Sequence, residues 1–376
     1  MVYEPDLMAE AERDIEESAE LLNEAWEPVT QLPRRREVLP SVVEYSLPSL
    51  HGLLEAGRIN LAPRYQRRSR WGKDRQSRLI ESFIMNVPVP PIYLNEDRTG
   101  VLSVIDGKQR LLSIRAFFED RLELEGLKFY PELNGLTHAT LPTDVRNSLD
   151  TLPSLRSIII LAESNERIKY EVFLRLNTGG VQLNAQEIRN SSWPGPFNDL
   201  VLELSESQRF RDMLRILNPE KSAIVREMRD AELVLRFFTF QRTWRGFTGG
   251  IGTALNDFMV VHQYDSATEL AELQASFERG LDCVQAALGA LAFRRWVPES
   301  ATWRNQVLAA LFDAEMIGLV GNDPEWLRQH SEAFTERFKN LFVDADFREA
   351  IDAATNTPAL LQRRIQKVQD LVSGLV

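Results

Sequence analysis

Residues 155–162, LRSIIILA, form the most continuous β-branched apolar run in the chain. That pattern belongs to a strand covered on both faces, not to one that alternates between core and water. Such a strand obliges the chain to build a sheet and to supply helices for both of its sides. Weaker strand signals precede it in RINLAP (58–63), VPVPPIYL (87–94) and VLSVI (101–105). Pro88, Pro90 and Pro91 make the second of these a strand that starts late or lies at an edge. Helices fit between them. Pro48-Ser49 leads a short one that Gly57 closes, and Asp74 is a candidate N-cap for RQSRLIESFIMN. Ser164 or Asn165 caps a helix carrying Ile168, Val172, Phe173 and Leu176, which Gly179-Gly180 stop. Asn184 and Glu187 have capping-box spacing. Beyond about residue 200 the pattern is almost wholly helical, as in REMRDAELVLRFFTFQRTW and DSATELAELQASFERGLDCVQAALGALAFRRW. The expected fold class is α+β: a mixed domain over 39–200, then a mostly helical domain over 201–376.

Composition narrows the function classes. Cys283 is the sole cysteine, which excludes an intrachain disulfide and a cysteine zinc cluster. No apolar run reaches the roughly 18 residues that span a bilayer, and the N-terminus has no signal-peptide core, so a cytoplasmic protein without membrane contact is expected. The net charge of −11 is unevenly spread. Residues 1–30 carry ten carboxylates against Arg13, whereas residues 58–78 carry eight cations against Asp74. Met8, Ala11, Ile15, Leu22 and Trp26 recur at helical spacing within the acidic stretch, so 1–38 reads as an acidic helical arm and a linker. It either packs on its own domain or docks on a partner.

The segment VLSVIDGKQRLLSIRAFFED (101–120) hands a strand to a helix through Asp106-Gly107. A helix N-terminus is a natural anion site, and Gly107 permits both a tight turn and close approach of a ligand. Lys108 and Arg110 oppose the helix dipole there, which is poor placement for stability and good placement for holding phosphate. Asp106 is suited to orient a cation, a metal-bound water or an attacking water. A plain Asp-Gly turn with solvated charges has the same spacing. In PRYQRRSRW (63–71), Tyr65 and Trp71 interleave with Arg64, Arg67, Arg68 and Arg70, a mixture suited to phosphate contact and base stacking, with Lys73 following. An exposed basic loop with buried aromatic anchors reads the same way. In FLRLNTGGVQLNAQEIRN (173–190), Arg175, Asn177, Glu187, Arg189 and Asn190 surround a Gly-Gly break, where capping and helix packing compete with a site.

The ordered set R-x-Q-R…W, P-P-I-Y-L, I-D-G-x-Q-R-L and F-x-R-L-N-x-G-G…E-I-R-N resembles the N-terminal domain of the GmrSD type IV restriction enzymes, over roughly residues 45–240. The resemblance implies a ParB/sulfiredoxin-like core, a nucleoside triphosphate site with Mg²⁺, and a setting in bacterial anti-phage defence. The family's D-G-Q-Q-R signature maps to Asp106, Gly107, Lys108, Gln109 and Arg110, with Lys108 in place of a glutamine. It makes Asp106 and Gln109 the catalytic candidates. Gly107, Lys108, Arg110, Arg64, Gln66, Arg67, Arg175 and Asn177 become phosphate-binding candidates, and Arg68, Arg70, Trp71 and Lys73 nucleic-acid-binding ones. The partners it implies are a nucleotide, DNA, an effector protein and a second copy of the chain.

Sulfiredoxin chemistry needs a cysteine in the turn, and Cys283 lies far from it in sequence. An HNH nuclease needs clustered histidines, and His51, His138, His262 and His330 are widely spaced. Three functions remain in competition. The first is a nucleotide-binding, NTP-hydrolysing regulatory or sensor subunit. The second is a metal-dependent nuclease using Asp106 and Glu187. The third is a DNA-binding or assembly module with a vestigial pocket.

Overall fold

A computed structural model of the protein describes residues 39–61, 71–176, 184–352 and 357–375. These fall into two units, 39–192 and 193–375. The first is built on a five-stranded mixed sheet of order β1-β5-β3-β4-β2. β1 (Pro40–Ser46) runs antiparallel to β5 (Ser154–Ile160), and β5 parallel to β3 (Ile92–Glu96). β3 is antiparallel to β4 (Leu102–Asp106), and β4 parallel to β2 (Ile59–Asn60).

The double coverage expected from LRSIIILA holds only at the end of that strand: Ser154 and Arg156 are exposed and Ile158 is half-buried, whereas Ile159 and Ile160 are buried on opposite faces. On one face Leu94, Val104, Leu155 and Ile159 meet four helices. These are α1 (Leu47–Glu55), α2 (Lys73–Ile84), α3 (Lys108–Phe118) and α4 (Thr143–Thr151). On the other face Ile105 and Ile160 pack with Phe173 of α5 (Glu166–Leu176) and Ile188 of α6 (Ala185–Ser192). Because successive residues of β4 point to opposite covered faces, Leu102 to Ile105 are all buried, Ser103 included, whose hydroxyl donates to the Asn95 carbonyl.

Several local expectations hold, and others are corrected by tertiary context. β3 starts after the prolines, but it is central in the sheet and not at an edge. The Asn184–Glu187 box is formed, with both reciprocal hydrogen bonds at 2.8 and 2.9 Å. Asp74 does not cap α2: Gly72 holds that position without a side-chain bond, and the Asp74 carboxylate pairs with Arg78 at 2.5 Å. The Ser164 hydroxyl accepts the Leu39 N–H at 3.0 Å. The acidic arm and Gly179-Gly180 lie outside the described residues.

The second unit comprises α7 (Pro196–Glu206), α8 (Gln208–Met213), α9 (Ala223–Arg226), α10 (Arg229–Phe240), α11 (Ile251–His262), α12 (Ala267–Leu288), α13 (Ala309–Leu319), α14 (Pro324–Gln329), α15 (Ser331–Leu341), α16 (Ala345–Asp352) and α17 (Pro358–Ser373). One feature departs from the helical expectation. FRRW does not continue α12, which Gly289 ends in a positive-φ conformation; Arg294–Val297 and Thr302–Val307 instead form a hairpin, β6 and β7. Trp296 lies opposite Trp303 with ring centres 5.3 Å apart, and the Lys339 ammonium sits 4.8 Å from the Trp296 ring. Among the described residues no helix is long and apolar enough to cross a membrane.

Charge is buried deep in this unit. Asp313 of α13 accepts two bonds from Arg236 of α10, at 3.1 and 2.5 Å, and one from Arg364 of α17 at 2.7 Å. Burial works against ionising Asp313, but the two guanidiniums outweigh it and hold the carboxyl below its ordinary range. Removing one member of such a group strands the others, which is why the cluster ties three helices together. Asp230 has weaker compensation. Burial pushes it up to about 7, opposed by the Ala231 N–H and the Arg211 charge. Between roughly pH 4 and pH 7 the folded protein therefore keeps a proton that the unfolded chain has released, so stability falls as pH rises through that window. Asp230→Asn retains the acceptor without the charge. It is expected to flatten the pH dependence of Tm and to raise Tm at about pH 8; an unaltered pH profile would show that Asp230 does not carry this effect.

Candidate functional site

The turn between β4 and α3 is shaped by the strand beside it. Tyr93 pairs with Asp106 and Leu94 with Val104, so Ile105 is an extra residue on β4, a bulge at the end of the strand. Bulges re-aim the side chains that follow them, and here they precede Asp106. Gly107 then adopts φ 96°, and a Cβ at that position would lie 2.3 Å from Cγ2 of Ile92. Only glycine satisfies both the conformation and the contact. α3 begins at once, with Gly107 itself, which has no side chain to cap it, at the N-cap position.

The charged residues of this first turn are arranged in depth. Arg110 is the inner one: its side chain is 13% exposed, against 45% for Asp106, and its Nη2 donates to Asp106 Oδ2 at 2.6 Å. That same Nη2 lies 3.1 Å from where a Gly107 Cβ would be, so the guanidinium rests over the turn. The less exposed cation thus holds the more exposed carboxylate. Lys108 is half-buried at the first helical position.

Gln109 faces a different element. Its Oε1 accepts the backbone N–H of Trp71 at 3.1 Å. Trp71 is half-buried against the first unit's core, and the Arg75 guanidinium covers its ring at 4.4 Å. β2 runs parallel to β4, so both strands end at the edge of the sheet where the turn sits, and the backbone of Trp71 is bonded to α3. Two residues later the exposed Lys73 opens α2.

The other expected residues are placed as follows. Arg175, in the last turn of α5, is exposed and pairs with Glu171 at 2.7 Å. Glu187, Arg189 and Asn190 are fully buried on α6, where Glu187 serves the cap. Arg64, Gln66, Arg67, Arg68, Arg70 and Asn177 lie outside the described residues. His51 and His138, distant in sequence, both stack on Phe118, with ring centres 5.4 and 4.4 Å away. Cys283 is buried in α12, where burial pushes its thiol up to about 11. Among the described residues no group of three or more His, Cys, Asp and Glu is placed to hold a metal ion.

Sequence reasoning missed Ile92, whose closeness makes glycine obligatory, and the Gln109–Trp71 bond. It also missed Glu81, a 4% exposed carboxylate of α2 that accepts the N–H groups of Lys128, Phe129 and Tyr130 at 2.7–3.3 Å. That bond fixes the loop after α3, and nothing in the helical pattern around Glu81 announces it.

The first unit is thus a mixed sheet carrying a glycine-hinged strand-to-helix turn with clustered charges. The family model described as GmrSD restriction endonuclease, N-terminal domain, matches residues 50–193, and this stretch of the chain is a domain of that family. No curated protein and no solved structure matched the chain.

Replacing Gly107 by Ala forces Ile92 or the backbone to move and imposes a positive φ on a side-chain-bearing residue. A loss of roughly 1–3 kcal/mol in denaturant unfolding is expected. Wild-type stability in Gly107→Ala would mean that the turn is not held against β3.

Proposed function

We propose that the turn from Asp106 to Arg110 binds the phosphates of a nucleoside triphosphate with Mg²⁺. On this reading the protein is the nucleotide-binding, NTP-hydrolysing regulatory or sensor subunit of a bacterial restriction-type anti-phage defence system, and it works with a partner effector and with DNA. The observation that carries the reading is the start of α3, opened by a glycine that no other residue can replace and flanked by Lys108 and Arg110. The GmrSD domain supplies the restriction setting, and the ParB/sulfiredoxin-like likeness of the core is part of the same proposal.

The chemistry assigned to each group follows from its place. Backbone N–H groups at the start of α3 and the Lys108 ammonium meet phosphate oxygens. Arg110 adds charge beside the turn and fixes the Asp106 carboxylate, which is exposed enough to meet a metal ion or a water. Mg²⁺ is commonly held by one or two carboxylates together with substrate phosphates, and Asp106 fits that role. Gln109 also supports a second reading, binding with slow or no turnover. Its carbonyl oxygen, the group that would orient a water, already accepts the Trp71 N–H.

Calorimetric titration with ATP, GTP, CTP and UTP in the presence of Mg²⁺ tests the site. Lys108→Ala and Arg110→Ala are each expected to weaken nucleotide binding by about 1.5–3 kcal/mol, the scale of a hydrogen bond to a charged group. Unchanged affinity in folded variants discards the site. If the protein turns nucleotide over, Asp106→Asn is expected to lower the rate far more than the affinity. Parallel losses in both would make Asp106 a structural residue of the turn.

A further inference from the structure

We propose that β1 is a pairing edge at which two copies of this chain join, antiparallel, into one continuous sheet.

β1 is the outermost strand of the five-stranded sheet, bonded on one side only, to β5. The Leu39 carbonyl accepts the Leu161 N–H at 3.0 Å, so the alternation of an antiparallel ladder turns residues 39, 41, 43 and 45 toward β5. The N–H groups of Val42, Glu44 and Ser46 and the carbonyls of Pro40, Val42 and Glu44 point the other way, and none of the described residues bonds to them. Edge strands are commonly blunted by short length, a bulge, a lysine or a proline in mid-strand. β1 has none of these: it runs seven residues, its register with β5 is unbroken, and its proline stands at the first position. Its one charge, Glu44, lies 3.6 Å from Arg156 of β5 and is already balanced. Val43 and Tyr45 pack on the core, whereas Leu39 and Val42 are 40% and 56% exposed. Outward N–H and C=O groups at this spacing are complementary to an extended strand.

The sequence of β1 makes a second copy the fitting occupant. Two-fold pairing centred on Val43 sets Val42 of each copy opposite Glu44 of the other. Every outward N–H then meets a carbonyl: Val42 that of Glu44, Glu44 that of Val42, and Ser46 that of Pro40. The one bond that Pro40 cannot donate would fall on the Ser46 carbonyl, which as the N-cap of α1 already accepts the first bond of that helix. Ile158 and Val42 of one copy lie in line with Glu44 and Arg156 of the other, so each carboxylate keeps its own arginine. A register centred on Glu44 would instead set two carboxylates face to face. The N-terminal stretch of the same chain suits the edge less. Pro28, Pro33 and Arg34 to Arg36 interrupt it as a strand, and residues 1–30 would bring ten carboxylates beside Glu44. Because β1 and β4 both finish at the same end of the sheet, the two Asp106 turns are carried to opposite ends of the joined sheet.

The test is sedimentation velocity of the full chain over a range of concentrations, with amide hydrogen exchange at low and high concentration. One strand edge is a small interface, so a dimer with a dissociation constant on the order of 1–100 µM is expected. Val42→Pro removes an outward N–H and leaves the bonds to β5 in place, and Val42→Lys sets a charge at the edge. Each is expected to weaken the dimer about tenfold or more with Tm unchanged. Val42→Thr keeps the N–H and the branched side chain and is expected to pair as wild type does. The wild-type Val42 and Glu44 amides are expected to exchange more slowly at high concentration than at low. A monomer at every concentration overturns the proposal. So does a dimer that survives both Val42→Pro and Val42→Lys, or one whose Val42 and Glu44 amides stay unprotected. A monomer in which those amides are protected at every concentration gives the edge to another segment of the chain and overturns it equally.

Discussion

Ile92 on β3 lies so near the Gly107 backbone that no side chain fits between them, and the candidate site depends on that contact. The closeness follows from the sheet. β3 and β4 are central strands squeezed between two helical layers, so their separation is set by packing on both faces and cannot relax toward solvent. The bulge at Ile105 uses up one residue of register just before the turn. Asp106, Gly107 and the start of α3 are thereby delivered to a rigid edge of the sheet. A site of this kind gains from such support, since a donor array is effective only when it is already ordered before the ligand arrives.

The charges in the turn follow a compatible logic. Lys108 and Arg110 sit where the helix dipole disfavours cations, and a chain selected for stability alone would place carboxylates there. Asp106 offsets part of that cost by pairing with Arg110 at 2.6 Å. The pairing is asymmetric in exposure, with the arginine inside and the carboxylate outside. The contrast with the second unit is informative. There Asp313 is enclosed by Arg236 and Arg364 with no exposed member, which is a device for joining helices. In the turn the carboxylate remains open to solvent, which is what a metal ion or water requires.

What could be read from the sequence was local. The strands at 101–105 and 155–162, the late start of β3 and the Asn184–Glu187 box depend on residues within a few positions of one another, and they were legible. The fold class followed from the same signals. Gly72 displaced Asp74 as the cap of α2 because Arg78, one turn on, offers that carboxylate a partner. The β6–β7 hairpin was hidden because its strands are short and carry arginines, and its stability comes from Trp296, Trp303 and Lys339 meeting in space. At the site, the glycine and the cations were visible as a pattern. The depth order of Arg110 and Asp106 and the reach of Gln109 to Trp71 were not, since both are set by how α3 packs against β3 and α2.

The central claim is that the start of α3 receives phosphate. Its most direct test is a crystal structure of the protein with Mg²⁺ and a non-hydrolysable nucleoside triphosphate, chosen as the tightest-binding base. The account predicts phosphate oxygens within hydrogen-bond distance of the backbone N–H groups that follow Gly107 and of the Lys108 ammonium, with Asp106 turned toward the metal ion. A triphosphate bound elsewhere on the domain, with the turn from Asp106 to Arg110 untouched, would contradict it.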